Sequence, residues 1–493
     1  MNIVEILSDH ARNRPDHPAI EDGERIVTYG ELDGLVDDAA ANLQAAGIKP
    51  GAIVAIALED SADHLIILCA MARAGAVIFS QNPFASEAEL KKSLATAPVS
   101  AVIGSGSSFS NSEMLWLRAQ DVCLPTSRPF VQSGIGGSDP LVLIQSSGTS
   151  GEPKSFLRSH AEVAVWARRH TYNQGWSPEE RCLSLVRLSF NMGLHNALGM
   201  LQLGATNVIN RPRSYDELAL LVNDRNVSYL YLTPSHLVPL LEYAGDKALL
   251  FPNLRMMVVA SAPTTHAQRL LARERVCANT CEAMGTNEAG LLTFASPMDQ
   301  DAHPEAVGRI VVGVEGVEAQ IVDDDDQPLA AGEIGQVRYK STGYPTHYID
   351  DSEATARAFR DGWFYPGDLA ALNDEGYLFF KGRADDIINN AGAKFYPVEV
   401  ENVLMAHPQV SAAAAFGWPH AKLGQVAVAC VAVTADVTAE ELQAFCKQKI
   451  AGYKVPAIIE VMPELPRNAM GKILKTELKD VIERGITERK AKC

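Results

Sequence analysis

A polar, glycine-containing stretch at residues 145–155 carries side chains that could bind phosphate. Glycines let the backbone close around a ligand with its N–H groups turned inward, hydroxyls add donors, and a lysine adds a mobile positive charge. These residues are Ser146, Ser147, Gly148, Thr149, Ser150, Gly151 and Lys154. The stretch lacks the Gly-Lys-Ser/Thr of a Walker loop. By composition alone, a flexible Ser/Gly surface loop is an equal alternative.

Four further motifs follow along the chain. They are Gly285-Thr-Asn-Glu288, Asp361-Gly-Trp-Phe-Tyr-Pro-Gly-Asp368, Gly382-Arg-Ala-Asp-Asp-Ile-Ile388 and Pro466-Arg-Asn-Ala-Met-Gly-Lys472. In this order, and over nearly the whole chain, the five stretches resemble the motifs of the adenylate-forming superfamily. That family contains acyl- and aryl-CoA synthetases, firefly luciferase and the adenylation domains of peptide synthetases. The layout is most similar to that of stand-alone acyl- and aryl-CoA ligases.

The resemblance implies a two-step reaction: ATP activates a carboxylate as an acyl-adenylate, pyrophosphate leaves, and the acyl group passes to coenzyme A. Lys472 would supply the positive charge at the α-phosphate. Glu288 and Thr149 would bind Mg²⁺, which prefers oxygen ligands. Asp368 would accept hydrogen bonds from the ribose, with Arg383 as a further donor. The implied nucleotide- and coenzyme-binding residues are Ser146, Ser147, Gly148, Ser150, Gly151, Lys154, Ala262, Gly285, Thr286, Asn287, Asp368, Arg383 and Gly392.

Asp385 matches the hinge residue of the family. The resemblance implies an N-terminal ATP- and carboxylate-binding domain, residues 1–382, and a mobile C-terminal domain, residues 383–493. After adenylation, rotation about Asp385 would withdraw Lys472 and bring the loop around Gly392 toward the site for the thiol. Composition alone gives no sign of this motion.

The segment Leu188-Ser-Phe-Asn-Met-Gly193 matches part of the acyl pocket of the family. Amino-acid-activating members have Phe-Asp there, whereas here Phe190 is followed by Asn191. A neutral amide cannot offset a buried ammonium, which disfavours an α-amino acid. An asparagine at this place resembles the branch of the family that activates aryl acids. A medium-chain acyl acid remains an alternative substrate. A helix-start role is an equal alternative for Asn191, and for His195 a place on a helix surface is slightly favoured over a place in the pocket.

Four residues depart from the family pattern. Met284 stands where many members have a tyrosine that stacks on adenine, and Pro366 replaces a threonine. Asn389 stands where a lysine is common, and Ser155 replaces a glycine. None of these changes removes a charge that adenylation needs, so activity is expected and the subfamily stays open.

Alternating strands and helices must position these motifs. Apolar strands at 53–58 and 76–79 flank a helix at 64–73, the alternation of a parallel sheet covered by helices. Ser159 and Glu162 have capping-box spacing, which predicts that a helix begins just beyond the polar stretch at residues 145–155. Shorter strands follow from about residue 308. The predicted fold is a large N-terminal domain of α/β layers with a small β-barrel-like part, followed by a small α+β C-terminal domain.

The composition excludes several classes of function. The chain has 493 residues, 47% hydrophobic and 21% charged, with a net charge of −17. Such an acidic protein is a poor general ligand for nucleic acid or anionic membranes. Scattered cysteines without metal-ligand spacing, and an N-terminus without a signal-peptide pattern, indicate a reduced cytoplasmic protein. No apolar segment is long enough to span a bilayer.

Three functions remain open on the sequence alone. No carrier or condensation domain follows Cys493, so the first hypothesis is a stand-alone ligase whose partners are a small carboxylic acid, ATP and CoA. The second is a stand-alone adenylating enzyme that loads a carrier protein or an amine. The third is a non-catalytic nucleotide sensor, which intact Lys472, Glu288, Asp368 and Arg383 disfavour. A homodimer is a further candidate for the assembly.

Overall fold

Four β-sheets and the helices that cover them make up the fold. A computed structural model describes residues 3–106, 114–132, 134–146, 154–246, 248–262, 264–313, 316–467, 471 and 473–491. The elements before residue 160 are α1 (Glu5–Asn13), β1 (Pro18–Asp22), β2 (Arg25–Thr28), α2 (Tyr29–Ala45), β3 (Ile53–Ala57), α3 (Ala62–Ala74), β4 (Val77–Ser80), α4 (Glu87–Leu94), β5 (Val99–Gly104), β6 (Leu115–Arg118), α5 (Ala119–Val122), β7 (Pro140–Ser146) and β8 (Lys154–Ser159).

The remaining elements continue in the same alternation and then become shorter. Up to residue 310 they are α6 (His160–Gln174), β9 (Arg181–Ser184), α7 (Asn191–Leu203), β10 (Thr206–Val208), α8 (Tyr215–Asp224), β11 (Tyr229–Leu232), α9 (Pro234–Ala244), β12 (Met256–Ala260), α10 (His266–Arg275), β13 (Thr280–Thr286), β14 (Gly290–Ala295), α11 (Pro297–Ala302) and β15 (Arg309–Ile310). They end with β16 (Glu318–Val322), β17 (Gly335–Lys340), α12 (Ser352–Ala358), β18 (Phe359–Arg360), β19 (Trp363–Phe364), β20 (Asp368–Leu372), β21 (Leu378–Arg383), β22 (Ile388–Asn390), β23 (Ala393–Phe395), α13 (Pro397–Met405), β24 (Val410–His420), β25 (Gly424–Val433), α14 (Ala439–Lys447), β26 (Ile458–Met462) and α15 (Lys475–Ala491).

The first two sheets are mostly parallel, as the alternation of strands and helices predicts. The nine-stranded sheet has the order β15-β14-β13-β12-β11-β9-β10-β1-β2, and the first six-stranded sheet has the order β6-β5-β3-β4-β7-β8. One hydrophobic cluster contains Ile20 of β1, Val54 of β3 and Leu65 of α3, so a single core joins the two sheets. In α3, 11 of 13 residues are buried, which a helix that is apolar on all sides requires.

The third sheet runs antiparallel, in the order β18-β19-β17-β20-β21, with β16 also on β17. This is the part predicted to be barrel-like. Within the described residues, its end strands β18 and β21 do not pair with each other, so the sheet is open rather than a closed barrel. The mixed α/β architecture with a large N-terminal and a smaller C-terminal part is otherwise as predicted.

The fourth sheet, built from residues 388–462, has the order β23-β22-β25-β24, with β26 on β25. Both of its faces are covered. Leu404 of α13 and Leu442 of α14 pack on one face, and Leu478 of α15 packs on the other.

Local signals placed several elements correctly. Thr28 and Glu31 form the capping box that begins α2, and Ser159 and Glu162 form the one that begins α6. Both pairs satisfy backbone N–H groups that the first helical turn leaves free. Within the described residues, no helix is both long and apolar enough to cross a membrane.

Candidate active site

Two antiparallel strands flank the polar stretch at residues 145–155 that could bind phosphate. Strands β7 and β8 are antiparallel, and their register places Ser146 opposite Lys154. Ser147, Gly148, Thr149, Ser150 and Gly151 lie outside the described residues, as does Lys472. The ammonium of Lys154 lies 5.2 Å from the centre of the Tyr348 ring, which brings the end of this hairpin to the segment around residue 348.

A second hairpin, formed by β13 and β14, carries the Gly285–Glu288 motif. A Cβ on Gly285 would collide with the carbonyl oxygen of Gly290 on the opposite strand, so only glycine allows the strands to approach this closely. The hydroxyl of Thr286 accepts a hydrogen bond from the N–H of Ala289 at 2.9 Å. These contacts make a tight turn with Asn287 and Glu288 at its end.

Glu288 lies in a buried, hydrogen-bonded position. Its carboxylate Oε1 accepts a hydrogen bond of 2.9 Å from the hydroxyl of Tyr348. Burial and the adjacent Glu288 carboxylate raise the pKa of Tyr348, so the hydroxyl stays protonated and donates. Among the described residues, no three His, Cys, Asp or Glu side chains cluster into a metal site. A single carboxylate fits Mg²⁺ that takes its other ligands from phosphate oxygens and water.

Asp368 and Arg383, both predicted to contact the ribose, are cross-strand partners at the ends of β20 and β21. Arg383 Nη1 donates to Asp368 Oδ1 at 2.7 Å and to the carbonyl oxygen of Pro366 at 2.5 Å. Gly367, with φ of 81°, passes close to the guanidinium. The ion pair orients the carboxylate, whose side chain is 11% exposed.

The acid-pocket segment contacts the Glu288 hairpin directly. Asn191 begins α7, and its Nδ2 donates a hydrogen bond of 3.0 Å to Oδ1 of Asn287. Phe190 precedes it as the N-terminal cap residue and packs against the cluster around Trp176. One hydrogen bond therefore joins the segment predicted for the acid pocket to the motif predicted for the nucleotide.

His195 is fully buried and not on a helix surface, contrary to the slightly favoured expectation. Its Nδ1 lies 2.7 Å from the carbonyl oxygen of Asn191, which makes Nδ1–H the donor. Burial and the nearby charge of Arg158 lower the pKa of His195 to about 3. The ring is thus neutral at physiological pH. Trp166 lies 4.9 Å away, ring centre to ring centre.

The remaining predicted residues lie at turns. Ala262 follows β12, after Ser261, whose φ is 80°. Gly392, with φ of 93°, forms the turn between β22 and β23, and its N–H donates to Oδ1 of Asn389 at 2.9 Å. Asp385 lies in a short 3₁₀ helix directly after β21, where the chain passes from the third sheet to the fourth.

In the C-terminal motif, Arg467 and Ile473 form an isolated antiparallel bridge. Within it, Gly471 has φ of 79° and lies against Ser235 at the start of α9. A Cβ on Gly471 would lie 2.5 Å from Oγ and 2.7 Å from Cβ of Ser235. Gly471, the neighbour of Lys472 in the sequence, thus lies against α9 of the N-terminal part of the chain.

Two residues of this region, Arg158 and Tyr348, were not predicted. Arg158 lies in β8 and donates to main-chain carbonyls near Glu288, and Tyr348 donates to Glu288 itself. The sequence contains one relevant signal: Phe156 and Arg158 are two apart, so both point to the same face of a strand. That signal depends on recognising β8, which the sequence did not allow.

Comparisons with known proteins show which families and structures this chain resembles. A family model described as AMP-binding enzyme matches residues 7–348, and one described as AMP-binding enzyme C-terminal domain matches residues 399–472. The chain is 27% identical to 2-succinylbenzoate–CoA ligase of Bacillus cereus (strain Q1), over 97% of this chain and 98% of that protein. It is 27% identical to indoleacetate–CoA ligase of Aromatoleum aromaticum, over 98% and 99%. O-succinylbenzoate coenzyme A synthetase of Bacillus subtilis, solved with ATP and magnesium ion, has a TM-score of 0.86 at 24% identity, over 96% and 99% of the two chains.

Proposed function

This chain belongs to the AMP-binding enzyme family, and we propose that it activates an aryl carboxylic acid with ATP and transfers the acyl group to coenzyme A. The enzyme is an AMP-forming acid–CoA ligase that uses ATP, Mg²⁺ and CoA. The observation that carries the choice of an aryl acid is the hydrogen bond between Asn191 and Asn287, which joins an uncharged pocket to the Glu288 motif.

The pocket is neutral where an amino-acid substrate would need a negative charge. Asn191 is an amide, and His195 is uncharged at physiological pH because its pKa is about 3. The buried guanidinium of Arg158 adds positive charge nearby, which further opposes a substrate ammonium. Phe190, half-buried beside Asn191, offers aromatic surface. The relatives named for 2-succinylbenzoate and indoleacetate act on aryl acids, which supports the same class here.

In the first step, a carboxylate oxygen attacks the α-phosphorus of ATP, the bond to the β-phosphate oxygen breaks, and pyrophosphate leaves. Lys472 offsets the charge at the α-phosphate, and Ser147, Thr149 and Lys154 hold the departing phosphates. Glu288 and Thr149 would hold Mg²⁺, which supplies positive charge to the phosphate oxygens. Asp368, oriented by its ion pair, accepts hydrogen bonds from the ribose.

In the second step, the thiolate of CoA attacks the acyl carbon, and AMP leaves. Residues 383–493 turn about Asp385 between the two steps, withdrawing Lys472 and bringing the Gly392 turn toward the acyl-adenylate. The position of Asp385 directly after β21 supports this assignment, since the chain leaves the third sheet there. We place the enzyme in the cytoplasm, and a homodimer and a carrier-protein partner are further proposals.

A panel of carboxylic acids tests the proposal, with pyrophosphate release measured in the presence and absence of CoA. Aryl acids are expected to give pyrophosphate and an acyl-CoA product. In the matched variant Asn191→Asp, the bond donated to Asn287 is lost and a partly buried carboxylate is introduced. Adenylation of aryl acids should then fall roughly 10- to 100-fold.

Three outcomes would contradict parts of the proposal. Turnover that ignores CoA but requires a carrier protein or an amine would replace the acceptor and leave adenylation intact. Nucleotide binding without carboxylate-dependent pyrophosphate release, across the whole panel, would favour a non-catalytic sensor. Equal activity of wild type and Asn191→Asp on aryl acids would show that Asn191 does not contribute to the acid pocket.

A further inference from the structure

Arg158 is a buried cation that the proposed reaction does not use. It lies in β8 and is 3% exposed. Burial lowers its pKa to about 10, so it remains cationic at neutral pH. Burying a charge is costly unless hydrogen bonds compensate. The groups that Arg158 binds by hydrogen bonds therefore indicate what this side chain does.

The guanidinium binds three main-chain carbonyl oxygens on two separate segments. Its Nη2 donates to the carbonyl oxygen of Asn287 at 2.9 Å and to that of Glu288 at 2.6 Å. Its Nη1 donates to the carbonyl oxygen of Gly343 at 3.0 Å. A planar fork of donors can span such a set, whereas a lysine ammonium is a point charge on a flexible stem.

Each segment bound by Arg158 carries part of the proposed metal site. The first contains Glu288 and also Asn287, whose side chain accepts the hydrogen bond from Asn191. The second leads from Gly343 to Tyr348, whose hydroxyl donates to Glu288. The strand that carries Arg158 begins at Lys154, within the polar stretch at residues 145–155. One side chain thus fixes the relative positions of three segments around Glu288.

We propose that Arg158 is a positioning residue for magnesium-dependent adenylation: by holding the carbonyls of Asn287, Glu288 and Gly343, it sets where the Glu288 carboxylate lies. This inference rests on the proposed function, in which Glu288 binds Mg²⁺ with ATP. Arg158 itself touches neither the metal nor the substrate. Its contribution is geometric, and a displacement of about 1 Å at a reacting group can cost on the order of 10²-fold in rate.

Arg158→Lys tests the proposal, because it keeps the charge and removes the fork. The first measurement is calorimetric binding of a non-hydrolysable ATP analogue at a series of Mg²⁺ concentrations, which needs no acid substrate. The variant should require roughly 10- to 100-fold more Mg²⁺ for the same affinity, the range found for partners that orient metal ligands. The rate of pyrophosphate release should fall by about 10²-fold.

Arg269→Lys is the matched control for the loss of a buried arginine. Arg269 is 7% exposed, and its Nη1 donates to Oε2 of Glu282 at 2.7 Å, outside the proposed site. It should lower the melting temperature without changing the Mg²⁺ dependence. A second test places Arg158→Lys in a Glu288→Gln background. If Arg158 acts through Glu288, it should add no further change in the Mg²⁺ requirement there.

The outcomes separate this inference from the proposed function. An unchanged Mg²⁺ dependence in Arg158→Lys, with a loss of stability like that of Arg269→Lys, would reduce Arg158 to a structural residue and leave the ligase reaction untouched. Full additivity with Glu288→Gln would also overturn the inference. Wild-type protein that binds the analogue without any Mg²⁺ dependence would instead contradict the assignment of Glu288.

Discussion

At the scale of single residues, the hydroxyl of Tyr348 orients the carboxylate of Glu288 through a 2.9 Å hydrogen bond. We predict that Tyr348→Phe lowers the rate of adenylation roughly 10- to 100-fold and raises the Mg²⁺ concentration that gives half of the maximal rate. The reason is that phenylalanine keeps the ring and removes the donor. Initial rates of pyrophosphate release across a Mg²⁺ titration measure both quantities.

Tyr377→Phe is the control for this prediction. Tyr377 makes the same kind of hydrogen bond, 2.6 Å long, to Asp299, a residue of the capping box of α11. Its loss should leave the Mg²⁺ dependence unchanged. If the two variants show the same dependence, Tyr348 does not act on the metal ligand.

Glu288 and Asp368 were predicted as site residues because they stand in short motifs that resemble those of the family, and such motifs can be read locally. Arg158 and Tyr348 act instead through contacts with distant segments: Arg158 and Asn287 are 129 positions apart, and Tyr348 and Glu288 are 60 apart. Such pairs become visible only when the strands are placed in space. His195 illustrates the same limit, because a surface and a buried histidine look alike in a helical pattern.

At the scale of elements, capping-box spacing and the apolar pattern predicted the helices α3 and α6 and the parallel strands β3 and β4. The antiparallel strand β8 was missed, although it decides where Lys154 and Arg158 lie. Its six residues, Lys154–Ser159, mix charged and apolar side chains, and its pairing with β7 depends on the turn between them rather than on local preference. Closure of the third sheet also depends on nonlocal pairing, and there the sheet is open rather than barrel-like.

The packing of α6 against the following segment makes stability sensitive to acid. His170 stacks between Trp166 and Trp176, with ring centres 4.8 and 4.5 Å away. Burial lowers its pKa from 6.5 to about 3, despite its hydrogen bond to the carbonyl oxygen of Trp166, and the charge of Arg169 lowers it further. The unfolded chain therefore binds a proton that the folded chain excludes. This stabilisation is complete above pH 6.5 and is lost as the pH falls toward 3.

We predict that His170→Phe weakens the acid sensitivity of thermal unfolding. Between pH 7 and pH 5, one such histidine contributes a loss of about 2 kcal/mol, and phenylalanine keeps the stacking without the titration. Calorimetric melting temperatures at several pH values give the slope. His266→Phe, at an exposed position of α10, is the control. An unchanged slope in His170→Phe would show that protonation of His170 does not drive the loss.

At the scale of the whole molecule, the order of the motifs predicted which parts must meet, but not how the C-terminal part is oriented. The two orientations proposed above would use the same residues and the same internal cores, so local sequence cannot distinguish them. The structure places Gly471 against Ser235 at the start of α9. Because Lys472 is the next residue, we infer that this is the orientation used for adenylation.

This orientation leads to a prediction about Gly471. Alanine there would place its Cβ 2.5 Å from Oγ and 2.7 Å from Cβ of Ser235. The backbone at this position has φ of 79°, a conformation that favours glycine. We predict that Gly471→Ala lowers adenylation by at least about tenfold, because the backbone at Gly471, next to Lys472 in the sequence, must move away from α9. Thioester formation from a supplied acyl-adenylate should change much less, since that step would use the other orientation.

A second substitution separates the clash from backbone strain. Ser235→Gly removes both atoms that the new Cβ would meet. Gly471→Ala combined with Ser235→Gly should therefore recover much of the lost adenylation. Backbone strain at φ of 79° would remain and would limit the recovery. Pyrophosphate release and thioester formation, measured separately for wild type, both single variants and the double variant, complete the cycle. Equal loss of both half-reactions in Gly471→Ala, with no recovery in the double variant, would mean that the contact between Gly471 and Ser235 does not belong to the adenylating orientation.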